Sequence, residues 1–327
     1  MKSACKLVAI YAAALVASAI TPAAQSQTDY PNKPVRLIIA VAPGTSTPDI
    51  VGRMAAQGIG EQLQATVIVD NKAGANGNIG MDYVAKAAPD GYTLLLNTSA
   101  LVLSPWLYSK LSFDPIQDLA PITLIYTSPN VYVVNPAVPA NNMREFIDYV
   151  KKNPGKLAYG SGGIGNSTHL AVELIAGRFG LNMLHVPYKS GASAVIDLVA
   201  GQVQMYSAPP TPLMSLIKSG KVRPLAVASL TRVSSMPDVP TMHETVEPGF
   251  EVGSWGGVMG PAKTPAPVMA RVHSALERHF RKPEVSEKLV PMGGVLLLLP
   301  PDRYTPYIKS ELERWGKVIR DAGIKPE

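Results

Sequence analysis

Short apolar runs rich in Val, Ile and Leu alternate with stretches of helical period along most of the chain. VRLIIAV (residues 35–41) gives way to a helical pattern from about Asp49, followed by ATVIVDN (65–71), a second helical pattern from about Gly77, and YTLLLNT (92–98). The strand runs are continuously apolar rather than alternating, which is the pattern of a sheet covered on both faces and points to α/β architecture with largely parallel sheets. ITLIYTSPNVYVVNP (122–136) reads as one long bent strand or two strands. A second set then follows: a helix over 141–152, LAYG (157–160), LNMLHVPY (181–188), a helix over 193–200, VQMYSA (203–208), a helix over 213–218 and VRPLAVAS (222–229). EVGSWGGVMG (251–260) supplies another strand, GGVLLLLPP (293–301) is strand length and ends in proline, and helices are expected over 266–280 and 301–322.

One strand set interrupted by another and then resumed suggests two lobes joined by crossovers near Tyr126 and Gly253. The expected division is 27–126 plus 253–327 for one lobe and 127–252 for the other, with a cleft between them. The 30 prolines gather at element ends, as in PNKP, PPTP and MPDVP, and read as terminators rather than as a disordered tract.

Two strand-to-helix junctions stand out. The first is Pro43-Gly44-Thr45-Ser46-Thr47-Pro48-Asp49, and the second is Ser161-Gly162-Gly163-Ile164-Gly165-Asn166-Ser167-Thr168-His169. Each points unpaired backbone N–H groups and the positive end of a helix dipole into a small space, which suits a carboxylate or phosphate. Two such junctions suggest a pincer. Asp49 fits better as a structural first-turn acid following N-cap Thr47 and Pro48, because a carboxylate there would repel an anionic ligand. His169 reads either as a polar loop residue or as a ligand donor. Trp255, at the second crossover, could line the cleft or simply pack.

The amino terminus changes the picture of where the protein works. Lys2 and Lys6 flank the start of an uncharged apolar run over 7–20, and Ala24-Gln25-Ser26 offers small residues, so 1–26 is expected to be a signal peptide cleaved near Ser26. The only cysteine is Cys5, so the mature chain would hold no disulfide and no catalytic thiol. Of 30 basic and 24 acidic residues, two lysines and no acids leave with the leader, giving 28 − 24 = +4. That mild excess, without basic runs beyond Lys151-Lys152, gives no support for nucleic-acid binding.

Catalytic and cofactor motifs find little purchase. GSGGIG (160–165) formally satisfies G-x-G-x-x-G, but the next strand, LNMLHVPY, offers no acid to meet a ribose, so no dinucleotide cofactor is expected. The histidines, His169, His185, His243, His273 and His279, show no metal spacing, and no metal or catalytic residue is assigned. A hydrolase that pairs Ser161 with a distant histidine remains the alternative, because such sites are geometric rather than sequential.

The phrases YPNKPVRLIIAVAPG, NKAGANGNIGMDYVAKAAPDGYTLL, LSFDPIQDLAPITLI, NPGKLAYGSGGIGNSTHLAVELI, HVPYKSGASAVIDLVAGQVQM, IKSGKVRPLAVAS, MPDVPTMHE and KVIRDAGIK resemble the Bug family. These are the extracytoplasmic solute receptors of tripartite tricarboxylate transporters. The resemblance covers the whole mature chain. It implies a two-lobed periplasmic-binding-protein fold that closes, without chemistry, on a small carboxylate and passes it to integral-membrane transporter subunits. A periplasmic monomer is expected. The ligand would meet Gly44, Thr45, Ser46, Thr47 and Asp49, then Ser161, Gly162, Gly163, Asn166, Ser167, Thr168 and His169. Asn97, Thr98, Ser99, Ser207, Ala208, Pro209 and Trp255 would contribute. Thr45-Ser46 replaces a Gly-Gly common in relatives, and the 207–211 loop lacks the acid that many carry, which argues against an amino-acid ligand. With Leu101, Leu103, Trp106, Ala208 and Pro209 expected near the cleft, aromatic mono- or dicarboxylates are favoured over citrate-like acids.

Overall fold

The computed structural model describes residues 30–44 and 46–326. The expected signal peptide and its cleavage near Ser26, together with Thr45, lie outside the described residues. Lys33–Glu327 is one compact unit and carries every element below.

The strands in chain order are β1 (Val35–Ile39), β2 (Val67–Asn71), β3 (Thr93–Thr98), β4 (Leu119–Pro129), β5 (Val131–Val134), β6 (Ala158–Ser161), β7 (Leu184–Pro187), β8 (Met205–Ala208), β9 (Arg223–Val227), β10 (Gly253–Pro261) and β11 (Val295–Leu299). They form two sheets, with orders β11-β4-β10-β3-β1-β2 and β7-β6-β8-β5-β9. In the first sheet β1 pairs in parallel with β2 and β3, while β10 runs antiparallel to both β3 and β4. In the second, β6 is parallel to β7 and β8, and β5 opposes both β8 and β9. The sheets are therefore mixed where a largely parallel pattern was expected. Two of the opposing strands, β5 and β10, are the ones the chain enters on crossing between sheets, so neither is returned in parallel by a helical crossover within its own sheet, and β11 at the edge of the first sheet also opposes β4.

Both sheets are held by the continuous apolar runs seen in the sequence. Leu37, Ile38, Ile39, Leu94, Leu95 and Leu96 are fully buried in the first, and Val131 to Val134 in the second. Each such side chain contributes about 1.5–3 kcal/mol of burial, so a polar residue at any of them would be strongly destabilising. Among helices of eight residues or more, one was not foreseen, Ala100–Leu107, whose apolar sequence ALVLSPWL hides its period; the single-turn helices Met242–Thr245 and Pro283–Ser286 were also unforeseen. Helix Met143–Lys152 shows clear local signals: the Asn142 side chain caps the Glu145 N–H, and Lys151 and Lys152 sit at the carboxyl end, favourable to the dipole.

The expected first crossover at Tyr126 falls inside β4, which continues to Pro129, and the chain changes sheet at Asn130. There the Asn130 N–H donates to Val252 O (2.9 Å), Val252 N–H to Ala228 O (3.0 Å) and Ala228 N–H to Asn130 O (2.8 Å), so three chain segments are tied at one place. Gly253 begins β10 beside them. A Cβ there would lie 2.5 Å from Ser128 O, so only glycine lets the two crossing strands approach this closely.

Candidate functional site

The first junction is built around Asp49, which is 1% exposed. Its Oδ2 accepts from the Gly44 N–H (3.1 Å) and from Arg53 Nε (3.0 Å), and its Oδ1 accepts from Asn71 Nδ2 (2.8 Å) and Arg53 Nη2 (3.3 Å). Asn71 also donates to Val41 O (3.0 Å), so the end of β2 and the loop after β1 are fastened to the first turn of the helix Thr47–Leu63. Burial pushes the Asp49 carboxyl up, but the bonds from Arg53, Asn71 and Gly44 and the Arg53 charge outweigh it and hold the group below the usual carboxylate range. Asp49 is thus an ionised clasp that shapes the loop. Ser46 is the N-cap residue, and among the described residues no side chain caps this helix, so its first-turn N–H groups are not taken by one of them. Gly44 and Ser46 are exposed and Thr47 is buried.

The second junction is more elaborate. Asn166 caps the helix Ser167–Phe179, its Oδ1 accepting from Thr168 N–H (3.0 Å), Thr168 Oγ1 (3.1 Å) and, at longer range, Ser167 Oγ (3.4 Å). Thr168 Oγ1 in turn accepts from Gly162 N–H (2.8 Å). Ser161 is fully buried at the end of β6, its Oγ accepting from Gly163 N–H (3.1 Å) and lying 2.6 Å from His185 Nε2. His169 Nδ1 accepts from Gly165 N–H (3.1 Å), which places its ring proton on Nε2, 3.7 Å from Glu173 Oε1.

Behind the loop three rings stack. The centroids of His169 and His185 are 3.8 Å apart at 11°, and Tyr159 lies against His185 at 4.9 Å and 15°. The Tyr159 hydroxyl donates to Glu173. Burial, with the neighbouring His185 second, pushes His169 down to about 4, and burial pushes His185 down to about 4 as well, so both are neutral at pH 7. His185 was passed over in the sequence because its role arises from register: β6 and β7 pair Tyr159 with His185.

The other expected residues fall in two groups. Asn97, Ser99, Ser207 and Ala208 are buried, Thr98 and Pro209 half-buried. Tyr304 donates to Asn97 Oδ1 (2.9 Å), Asn130 Nδ2 donates to Ser207 Oγ (3.2 Å), Ala100 N–H donates to Thr98 Oγ1 (3.2 Å), and Ser99 N–H donates to Trp255 O (3.1 Å). Trp255 is a correction: its ring is 1% exposed, donates to Glu311 Oε2 (3.1 Å) and meets Tyr304 and Tyr307 edge-on, so it packs the first lobe instead of lining a cleft. Leu101 and Leu103 likewise belong to the hydrophobic core, and Trp106 donates from its indole to Leu312 O (3.0 Å).

A cavity of about 180 Å³ joins the second junction to the first lobe, lined by Gly162, Ile164, Gly165 and Asn166 on one side and by Asn76, Leu107 and Tyr108 on the other. Gly165 has φ +71°, and a Cβ there would fall 2.6 Å from Leu107 Cδ2, so the loop touches the first lobe only because the residue is glycine. Among the described residues, none of the first junction lines this cavity. Asn76, missed in the sequence, reaches it from the loop that follows β2, the strand that carries Asn71. A larger cavity of about 480 Å³ lies between helix Ser167–Phe179, residues 247–251 and helix Pro301–Asp321. It touches neither junction, and its charges are largely paired among themselves, as in Arg178 with Glu247 and Lys317 with Asp321.

Two mixed sheets flanked by helices, tied at a crossover and carrying one Ser/Thr/Gly junction each, define the two-lobed periplasmic-binding-protein class. A structure of the periplasmic binding protein BugD matches with a TM-score of 0.75 at 35% identity, covering 91% of this chain and 100% of that one. A structure of R. palustris Rpa4515 with adipate matches with a TM-score of 0.78 at 30% identity, covering 91% and 100%. In sequence, BugT of Bordetella pertussis (strain Tohama I) is 33% identical over 312 residues, 95% of each chain. Residues 51–324 match the tripartite tricarboxylate transporter family receptor, TctC, and the chain belongs to that family. It is a Bug-type solute-binding receptor.

Proposed function

We propose that this chain captures a small organic carboxylate between its two lobes in the periplasm, as a monomer, and delivers it to the membrane subunits of a tripartite tricarboxylate transporter. The observation that supports this most directly is the pair of junctions, one on each sheet. In each, internal side chains fix the loop, Asp49 and Asn71 in one and Asn166, Thr168 and His169 in the other. Loops held this way before the ligand arrives spend little binding energy on ordering it. The N–H groups of Gly44, Gly162, Gly163 and Thr168 and the Thr168 hydroxyl are committed to bonds within the loops and shape them, so the candidate contacts are Ser46 and Thr47 on one side and Asn166 Nδ2 and Ser167 on the other, where N–H and hydroxyl donors suit a carboxylate. The second lobe in this reading starts where the chain changes sheet, at Asn130 rather than at residue 127, and runs to Val252.

Relatives support the ligand class: Rpa4515 is known with adipate and MatC from Rhodopseudomonas palustris with bound malate. The aromatic preference read from the sequence leaned on Leu101 and Leu103, which are core side chains, so aliphatic dicarboxylates take first place and aromatic acids second. Thermal shift and calorimetry across adipate, malate, succinate, citrate, benzoate, terephthalate and glutamate decide the matter. A ligand at about a hundred times its dissociation constant stabilises by about 2.7 kcal/mol. Silence across the whole series defeats the reading.

The Ser161 to His185 distance of 2.6 Å is the one observation that favours a hydrolase. Ser161 is fully buried, however, and among the described residues no carboxylate meets His185, so the pair lacks both access and an orienting acid. Turnover of p-nitrophenyl esters, lost in Ser161→Ala, would revive that reading.

A further inference from the structure

The buried histidine stack behind the second junction lies beneath the loop, where His169, expected from the sequence to meet the ligand, instead meets the backbone. His169 is 4% exposed, and its Nδ1 is the acceptor for a backbone N–H of the very loop proposed to meet the ligand. An acceptor at that atom requires a neutral ring, because a cation would present Nδ1–H to Gly165 N–H, donor against donor. With His185 stacked 3.8 Å away, two cations are excluded as well.

Granted the carboxylate-receptor reading above, we propose that His169, backed by His185, is the positioning residue of the second junction. As a neutral imidazole it holds Gly165 and with it residues 161–168 in the shape that receives a carboxylate, and its protonation releases the loop and the ligand. Each element packed around the stack is consistent with a neutral pair. Tyr159 on β6 directs its hydroxyl to Glu173 and away from the imidazoles. Tyr132 on β5 donates to Ala171 O, and Tyr206 on β8 sits beside Thr168. Glu173, the carboxylate nearest His169 Nε2, is engaged by Tyr159, and on its other side it borders the cavity that holds Arg178, Arg314 and Lys317. Glu173 still carries its charge 3.7 Å from His169 Nε2 and favours a protonated ring, so the neutral state rests on burial and on the stacked His185, which together hold His169 below its ordinary value.

Adipate is the probe. His169→Phe keeps the aromatic stack and removes the acceptor, and should weaken adipate binding at pH 7 by about tenfold or more. His169→Asn places Oδ1 near the position of Nδ1 and should recover most of that loss. Between pH 7 and pH 4 the wild type should lose roughly two- to fourfold more affinity than His169→Asn, a comparison from which titration of adipate itself cancels. A ligand-free arm uses long-range ¹⁵N–¹H spectra at pH 7, where His169 should carry its proton on Nε2. On acidification the Gly165 amide should lose protection from exchange in the same step as His169 titrates. A His169 that titrates near 6.5 with the Gly165 amide unmoved, or a Phe variant that binds as the wild type does, overturns the proposal. Wild type silent toward every acid in the series defeats the receptor reading instead, and the spectra still decide the role of His169.

Discussion

Replacing Asp49 with asparagine removes one charge and no bulk, and it tests whether the first junction is held by its clasp. The carboxylate has four donors arranged around it: Gly44 N–H, Asn71 Nδ2 and two from Arg53. The Arg53 side chain is 52% exposed, so its ion pair is screened and adds about 0–1 kcal/mol. The bonds from Gly44 and Asn71 reach a buried charged acceptor, and such bonds contribute about 1.5–3 kcal/mol each. An amide can accept on one side only and turns its NH₂ toward the remaining donors, so one of the two bonds survives at most. The expected loss is about 2–4 kcal/mol, which for a chain of this size lowers the melting temperature by roughly 3–6 °C. Differential scanning calorimetry at pH 7 measures it, with adipate affinity followed alongside. The pH dependence supplies a second check. A carboxyl held below its ordinary 3.8 stabilises the fold fully above that pH and loses the contribution as pH falls through the folded value. The gap between wild type and Asp49→Asn should therefore be constant from pH 8 to about pH 5 and narrow below pH 4. Equal melting temperatures at pH 7 would falsify the clasp, and a gap that persists undiminished at pH 3 would show that its charge is not what matters.

Three further outcomes are expected. His169 and His185, lowered from 6.5 to about 4 in the folded state, bind protons less readily than in the unfolded chain, so their contribution is fully present above about pH 6.5 and is lost as pH falls to about 4; urea titrations at pH 7, 5.5 and 4.5 should show this fall, and a smaller one in a His169→Asn, His185→Gln variant. Gly253→Ala puts a methyl group 2.5 Å from Ser128 O, a backbone atom that cannot step aside, and should cost about 1–3 kcal/mol in chemical denaturation, whereas Gly177→Ala, with open space around it, should cost none. If the ligand touches both lobes, small-angle scattering should show a smaller radius of gyration on adding a tightly bound acid; tight binding without compaction would place the site on one lobe alone.

Much of this protein was determined by local sequence. Continuous apolar runs such as VRLIIA, TLLLNT and VYVV can be satisfied only by sheets buried on both faces, and the break and return of the strand pattern announces two sheets. The junctions, too, were legible, because Gly, Ser, Thr and Asn before a helical period mark a helix start whatever surrounds it. Asp49 could be read as structural from its place in the first turn. The helix Ala100–Leu107 could not be read, because a segment apolar on nearly all sides has no period to betray it.

What only the tertiary structure decided depends on pairings between distant residues. The clasp on Asp49 needs Asn71 from another strand, and nothing in the spacing of 22 residues discloses the 2.8 Å bond. His185 acquires its role from the register that sets it opposite Tyr159 and above His169. Trp255 was misplaced for the same reason. Its position at the end of a crossover strand was plain in the sequence, but which face of β10 it occupies was settled by Glu311 and Tyr307 on a helix more than fifty residues away. A sheet side chain has two faces to choose between, and the choice belongs to the partner that packs there.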